Sequence, residues 1–156
     1  MLTQFGRLRA SADGRYATAA ELQFLKDYFK TFPLRLSAYQ KIQAAEKDIV
    51  RQVQEKLQSR DPDIFNRGSE DLTAKWRLDL IRVLRHSSAA LLSNDLDRLQ
   101  NDFLLWFKSI LHALQVQRHS ALTYSVMQDV VKGYLTPEEA AVFSPILDLT
   151  RKVLGG

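Results

Sequence analysis

The chain contains no cysteine. That excludes disulfides, thiolate metal sites, a cysteine nucleophile and thioether attachment of a prosthetic group. Glycine and proline are scarce, 6 and 4 in 156 residues, which fits a helical chain better than a turn-rich β fold. No apolar run approaches the roughly 20 residues of a membrane span. The stretch from Met1 to Arg15 lacks an apolar core, so no export signal and no transmembrane segment are expected. A basic block is missing as well. The formal charge is +4, but Lys and Arg are interleaved with Asp and Glu, so nucleic acid is not an expected partner. The absence of thiols fits a reducing compartment, and a cytoplasmic location is expected.

What the chain has is helical periodicity. Its 156 residues, 46% hydrophobic and 26% charged, suit one domain with a single core. Leu2, Phe5 and Leu8 predict a short helix over residues 1–13, and Asp13-Gly14 is a turn signal. Thr18 and Glu21 predict a capping box that opens a second helix with Leu22, Leu25, Tyr28 and Phe29 as its stripe. Pro33 is expected to interrupt that run or to start the next helix. Leu36, Tyr39, Ile42, Ile49, Val53 and Leu57 carry a helix over 34–60. Asp61-Pro62-Asp63 ends it, since the residue before a proline is pushed out of the α region. Asn66-Arg67-Gly68 reads as loop. A helix over 69–92 turns Leu72, Trp76, Leu80, Val83, Leu84 and Leu91 inward. Asn94 is expected to cap a helix bearing Leu99, Phe103, Phe107, Ile110, Leu111 and Leu114. Another helix covers 117–133. Thr136-Pro137-Glu138-Glu139 is a strong start for the last, which Gly155 ends. No strand alternation is found. The expected class is all-α, with two short leading helices and five or six longer ones, and crossing around a buried pocket as in globins is one stable packing.

The residue types of catalysis are not grouped. Asp61 and Asp63 flank a turn proline, Glu138 and Glu139 serve a helix start, and Ser87, Ser88 and Ser120 have no activating neighbour. An enzyme is not expected. His86, His112 and His119 offer no i, i+4 metal pair. His112, beside Ile110 and Leu111, is the candidate if the chain holds a globin-type haem, although a histidine at such a boundary is more often structural.

An ordered set of short motifs resembles the phycobiliproteins, the subunits of the phycobilisome antenna, and among them the allophycocyanin α type. The set comprises Arg15-Tyr16, Glu21-Leu22, Leu34-Arg35-Leu36, Ile42, Asp48-Ile49-Val50, Leu57-Gln58 and Asp61-Pro62-Asp63. It continues with Leu72 to Leu80, Leu84-Arg85, Asn94-Asp95, Met127 to Val130 and Leu135 to Ala141. The resemblance implies a globin-like all-α fold, with residues 1–32 as a projecting helical hairpin and 33–156 as the body. It implies that Trp76 stands where the family carries the cysteine bonded to a linear tetrapyrrole, and that Asp79 stands where a carboxylate accepts the inner pyrrole N–H groups. Leu78 replaces a propionate-binding arginine, Arg82 and Val83 replace an aromatic pair, and the covering loop is shortened to Asn66-Arg67-Gly68-Ser69.

No covalent bilin is therefore expected. The resemblance implies a non-enzymatic interaction or regulatory factor in antenna or photosystem assembly, at the cytoplasmic face of the thylakoid membrane. The alternative is a noncovalent bilin or other tetrapyrrole held by Asp79, Trp76, Arg77 and Arg82. Trp76 either fills the pigment's space or stacks on a pigment. Phe5, Leu8, Phe24, Leu25, Tyr28 and Phe29 load the leading helices with more apolar surface than a short hairpin buries against itself. They are the expected interface for a homodimer, or for a heterodimer with a phycobiliprotein subunit.

Overall fold

The apolar periodicity is realised as a stack of helices. The computed structural model describes residues 1–114 and 117–156. In chain order the elements are α1 (Leu2–Ser11), α2 (Gln23–Arg60), β1 (Asn66–Arg67), β2 (Glu70–Asp71), α3 (Thr73–Ser93), α4 (Leu96–Leu99), a π-helical turn (Gln100–Leu104), α5 (Leu105–Ala113), α6 (Gln117–Lys132) and α7 (Pro137–Leu154). Helix α2 packs against α3, α6 and α7, and α7 also packs on α6. One core joins Ile42, Ile49, Val53 and Leu57 of α2 to Leu84 and Leu91 of α3, Met127 and Val131 of α6, and Phe143 and Ile146 of α7. Phe103 and Phe107 close it from the α4–α5 side, their rings stacked 5.4 Å apart.

Five expectations are corrected. Pro33 neither breaks nor starts a helix; it lies inside α2, which runs for 38 residues. The bond that its missing N–H would have made is one among many, and burial of Tyr28, Arg35, Ala38 and Ile42 on both sides of the proline holds the helix together. The Thr18–Glu21 box forms, with Thr18 N–H donating to Glu21 Oε2 at 2.8 Å. It closes a turn rather than the helix, because Gln23 N–H bonds the Ala20 carbonyl and regular α geometry starts only at Gln23. Residues 66–71 are not plain loop. Asn66 pairs with Asp71 and Arg67 with Glu70, around Gly68 at φ +62, a left-handed conformation that glycine adopts without strain. This pairing delays α3 to Thr73, whose N–H is taken by Asp71 Oδ1 at 2.8 Å.

The last two corrections concern Asn94 and the helix after it. Asn94 does not open the following helix; it ends α3 in the left-handed conformation, φ 48, with its N–H returned to the carbonyls of Ala90 and Leu91. Asp95 is the N-cap instead, accepting from Arg98 N–H at 3.2 Å. The expected single helix over Leu99 to Leu114 is interrupted by the π-helical turn. The start signal at Thr136 is realised in full: Thr136 Oγ1 accepts from Glu139 N–H, and Glu139 returns a carboxylate oxygen to Thr136 N–H at 2.8 Å.

Candidate functional site

Helical spacing brings Leu72, Trp76, Asp79 and Leu80 to one side of α3. That side faces the segment Ile64–Asn66, the hairpin residue Glu70, the end of α5 at Leu111 and Leu114, and His119, Ser120, Thr123 and Tyr124 of α6. Together they enclose a cavity of about 300 Å³, at the lower end of the roughly 300–1,000 Å³ typical of small-molecule sites.

The walls are aromatic and aliphatic. Trp76 lies against Phe65 with ring centroids 4.4 Å apart, and its indole N–H donates to Thr123 Oγ1 at 3.3 Å. Trp76 is thus part of the wall and leaves the space beside it open. The polar groups sit on α3 and α6. Asp79 is half-buried, and burial pushes its carboxyl above the usual range, against the pull of Arg82 and Lys75. Arg82 Nη1 reaches Asp79 Oδ1 at 3.3 Å. Tyr124 is only 4% exposed. Burial drives its hydroxyl well above the ordinary phenol range, and the charge of Asp79 adds to this.

Of the four pocket residues expected from the sequence, Trp76 and Asp79 line the cavity. Arg82 acts on it through Asp79. Arg77 does not belong to it: its guanidinium donates to Gln54 Oε1 at 2.7 Å, towards α2. His112 is exposed on α5 and is not in the cavity wall, where His119 stands instead. His86 stacks on Phe103 at 3.8 Å, and burial followed by the charge of Arg82 lowers its pKa. Sequence reasoning missed Thr123 and Tyr124. Their signal is a pair of hydroxyl-bearing residues on the buried face of α6, beside Val126 and Met127, where a purely apolar face is the norm.

The leading helices are tied to the body at Asp95, at Asp97 and at the end of α3, and keep part of their apolar surface exposed between these contacts. Asp95 accepts from Thr3 N–H at 2.8 Å and from Thr3 Oγ1 at 2.7 Å, and Arg7 pairs with Asp97 at 2.8 Å. Phe5 and Phe29 remain 49% and 67% exposed, while Leu8, Phe24 and Leu25 are partly covered. Phe5 meets Phe24 edge-on at 6.3 Å. Tyr28 departs from the expected interface: it is buried, and its hydroxyl donates to the Leu92 carbonyl at 3.0 Å. With Arg35, which donates to the Leu91 carbonyl at 3.1 Å, it satisfies the C-terminal end of α3. Among the described residues, no helix is long and apolar enough to cross a membrane.

Comparison with known proteins agrees with this architecture. The family described as "Phycobilisome protein" matches residues 8–154. The chain is 27% identical to the allophycocyanin subunit alpha-B of Picosynechococcus sp., over 94% of each chain. It is 27% identical to the allophycocyanin alpha-B chain of Synechococcus sp., over 90% of each. It is 24% identical to the allophycocyanin alpha chain of Synechocystis sp., over 90% of this chain and 91% of that one. A family match over residues 8–154, at 24–27% identity to its allophycocyanin members and with no cysteine anywhere, makes the chain a divergent member of the phycobilisome protein family, built on its globin-like all-α fold.

Proposed function

We propose that the protein is a non-enzymatic interaction factor, which engages an antenna-type subunit or a second copy of itself during antenna or photosystem assembly. Residues 1–32 serve as the partner-facing hairpin and residues 33–156 as the globin-like body, acting on the cytoplasmic side of the thylakoid. The observation that carries this reading is the apolar surface of α1 and the start of α2. Leu2, Phe5 and Phe29 are exposed there together, although Asp95 fixes α1 in place. An anchored element that keeps large apolar side chains in water is suited to contact rather than to core filling. Phe29→Asp is expected to weaken self-association or association with allophycocyanin α or β subunits at least tenfold (~1.4 kcal/mol). Sedimentation velocity over a micromolar concentration series measures this. A chain that stays monomeric and binds neither subunit rejects the proposal.

A second reading is favoured by the cavity: a linear tetrapyrrole held without a covalent bond, with Asp79 as its anchor and Trp76 as one wall. Protein co-produced with a bilin pathway is then expected to show a visible absorption band, with the pigment released by acid urea. A colourless product, unchanged by Asp79→Ala, rejects this reading.

A further inference from the structure

The chain carries 18 acidic residues in 156, yet none falls between Phe103 and Gln128. The Lys and Arg residues of that stretch are Lys108 and Arg118. Helix α5 lies within it, and the solvent side of α5 is apolar as well as basic. Leu105 is 46% and Trp106 54% exposed, while Leu104 and Phe107 beside them are buried. Trp106 is held in place on the surface, its ring 6.3 Å from Phe103 and 6.2 Å from Phe107. Lys108 and Ser109 are exposed with it. Ser109 donates its hydroxyl to the Leu105 carbonyl at 3.1 Å, so this face loses little when water leaves it. Asp102, one turn before Trp106, is offset by Arg98 at 3.2 Å.

We propose that the exposed face of α5 seats on an anionic lipid surface, with Trp106 and Leu105 in the boundary between headgroups and acyl chains and the Lys108 ammonium among the headgroups. Charge complementarity selects this occupant. The face is basic, and its stretch supplies no carboxylate to set register against the mixed charges of a protein surface. A lipid surface needs no register; it asks only for one sign of charge beside apolar side chains. Tryptophan suits the boundary, because its ring is apolar while its N–H keeps a polar partner. Nine residues cannot cross a hydrocarbon core of roughly 30 Å, so α5 lies on the surface rather than through it. Two apolar side chains and one lysine give weak, reversible attachment. The contact goes beyond the reading of residues 1–32 as a protein-facing hairpin and does not rest on it, since another element carries it.

The test floats the full chain with vesicles of phosphatidylcholine alone, and with vesicles holding equal parts of phosphatidylcholine and phosphatidylglycerol. Partition onto the anionic vesicles is expected to be at least tenfold the stronger and to fall as salt is raised. Trp106→Ser is expected to weaken it about tenfold, and Lys108→Gln about fivefold. Both side chains are exposed, so the urea midpoints of these variants are expected to match that of wild type. Trp76→Phe leaves Trp106 as the one tryptophan of two, and its emission is expected to shift to the blue on anionic vesicles. The flotation arms stand without that variant. No partition, equal partition onto both vesicles, or no effect of Trp106→Ser or of Lys108→Gln overturns the proposal. Partition that Phe29→Asp abolishes and Trp106→Ser leaves intact moves the lipid contact to the hairpin and overturns it as well. Poly-glutamate that shields Trp106 where vesicles do not gives the face to an acidic protein, and the lipid assignment fails.

Discussion

Asp95→Ala is expected to destabilise the protein by about 3 kcal/mol and to release α1 from the body. The carboxylate is 3% exposed and does three things at once. It caps α4 by accepting from Arg98 N–H at 3.2 Å, a role worth about 1 kcal/mol. It accepts from the backbone and the hydroxyl of Thr3, at 2.8 and 2.7 Å, through charge-assisted bonds that are stronger than neutral ones. Burial pushes its pKa up, but the bonds from Thr3 and Arg98 outweigh burial and hold the carboxyl below its ordinary range, so it is ionised at neutral pH. Alanine leaves three donors without their acceptor. Asp95→Asn keeps one acceptor oxygen and is expected to lose about half as much. Urea unfolding measures the stability, and amide exchange over residues 2–11 measures the release. Unchanged protection of α1 in Asp95→Ala means that Thr3 is not the tie. Because α1 presents Leu2 and Phe5, its release is also expected to weaken association.

Which features could be read in advance follows from how far their causes reach along the chain. The box at Thr136 and Glu139 is local chemistry, with every partner within three residues, and it forms as the sequence predicts. Asn94 and Asp95 are adjacent and both suited to capping. What decides between them is that Asn94 takes the left-handed conformation while Asp95 meets Thr3, a residue 92 positions away. Pro33 signals a break locally, but the helix is held by packing of residues on either side of it, which no window around the proline contains. The same division runs through the cavity. Trp76 and Asp79 are legible because they share one helix and resemble a known pattern there. Tyr124 is not, because its meaning depends on α6 crossing near α3, which spacing within α6 does not encode. Tyr28 reads as part of the interface because the leading helices carry more apolar side chains than a short hairpin can bury against itself. Its burial follows from an acceptor at Leu92, 64 residues on.

The second large effect depends on pH. Glu139 is 3% exposed and holds the start of α7 to α2, accepting from Lys41 Nζ at 2.8 Å and from Ser37 Oγ at 2.7 Å while closing the box with Thr136 N–H. Lys41 first, then Ser37, with a smaller contribution from Thr136, lower its pKa from an ordinary 4.5 to about 2, against the opposing effect of burial. A carboxyl whose folded pKa is depressed contributes stability that is fully present above its unfolded value and is lost as pH falls through the folded one. The contribution of Glu139 is therefore expected to be constant above about pH 5, to decline between there and pH 2, and to vanish below. Glu139→Ala is expected to cost about 3 kcal/mol at pH 7, since it removes the box and two charge-assisted bonds. Glu139→Gln preserves the neutral hydrogen bonds and the box, so its deficit isolates the charge, at about 1–2 kcal/mol at pH 7. Urea unfolding of wild type and Glu139→Gln across this range is expected to show the two curves converging as the acid side is approached. A gap that stays constant down to pH 2 means that the Lys41 ammonium does not act on Glu139 in solution. The α2–α7 contact would then be held by Phe143 and the apolar core alone, with no acid-sensitive clamp at its edge.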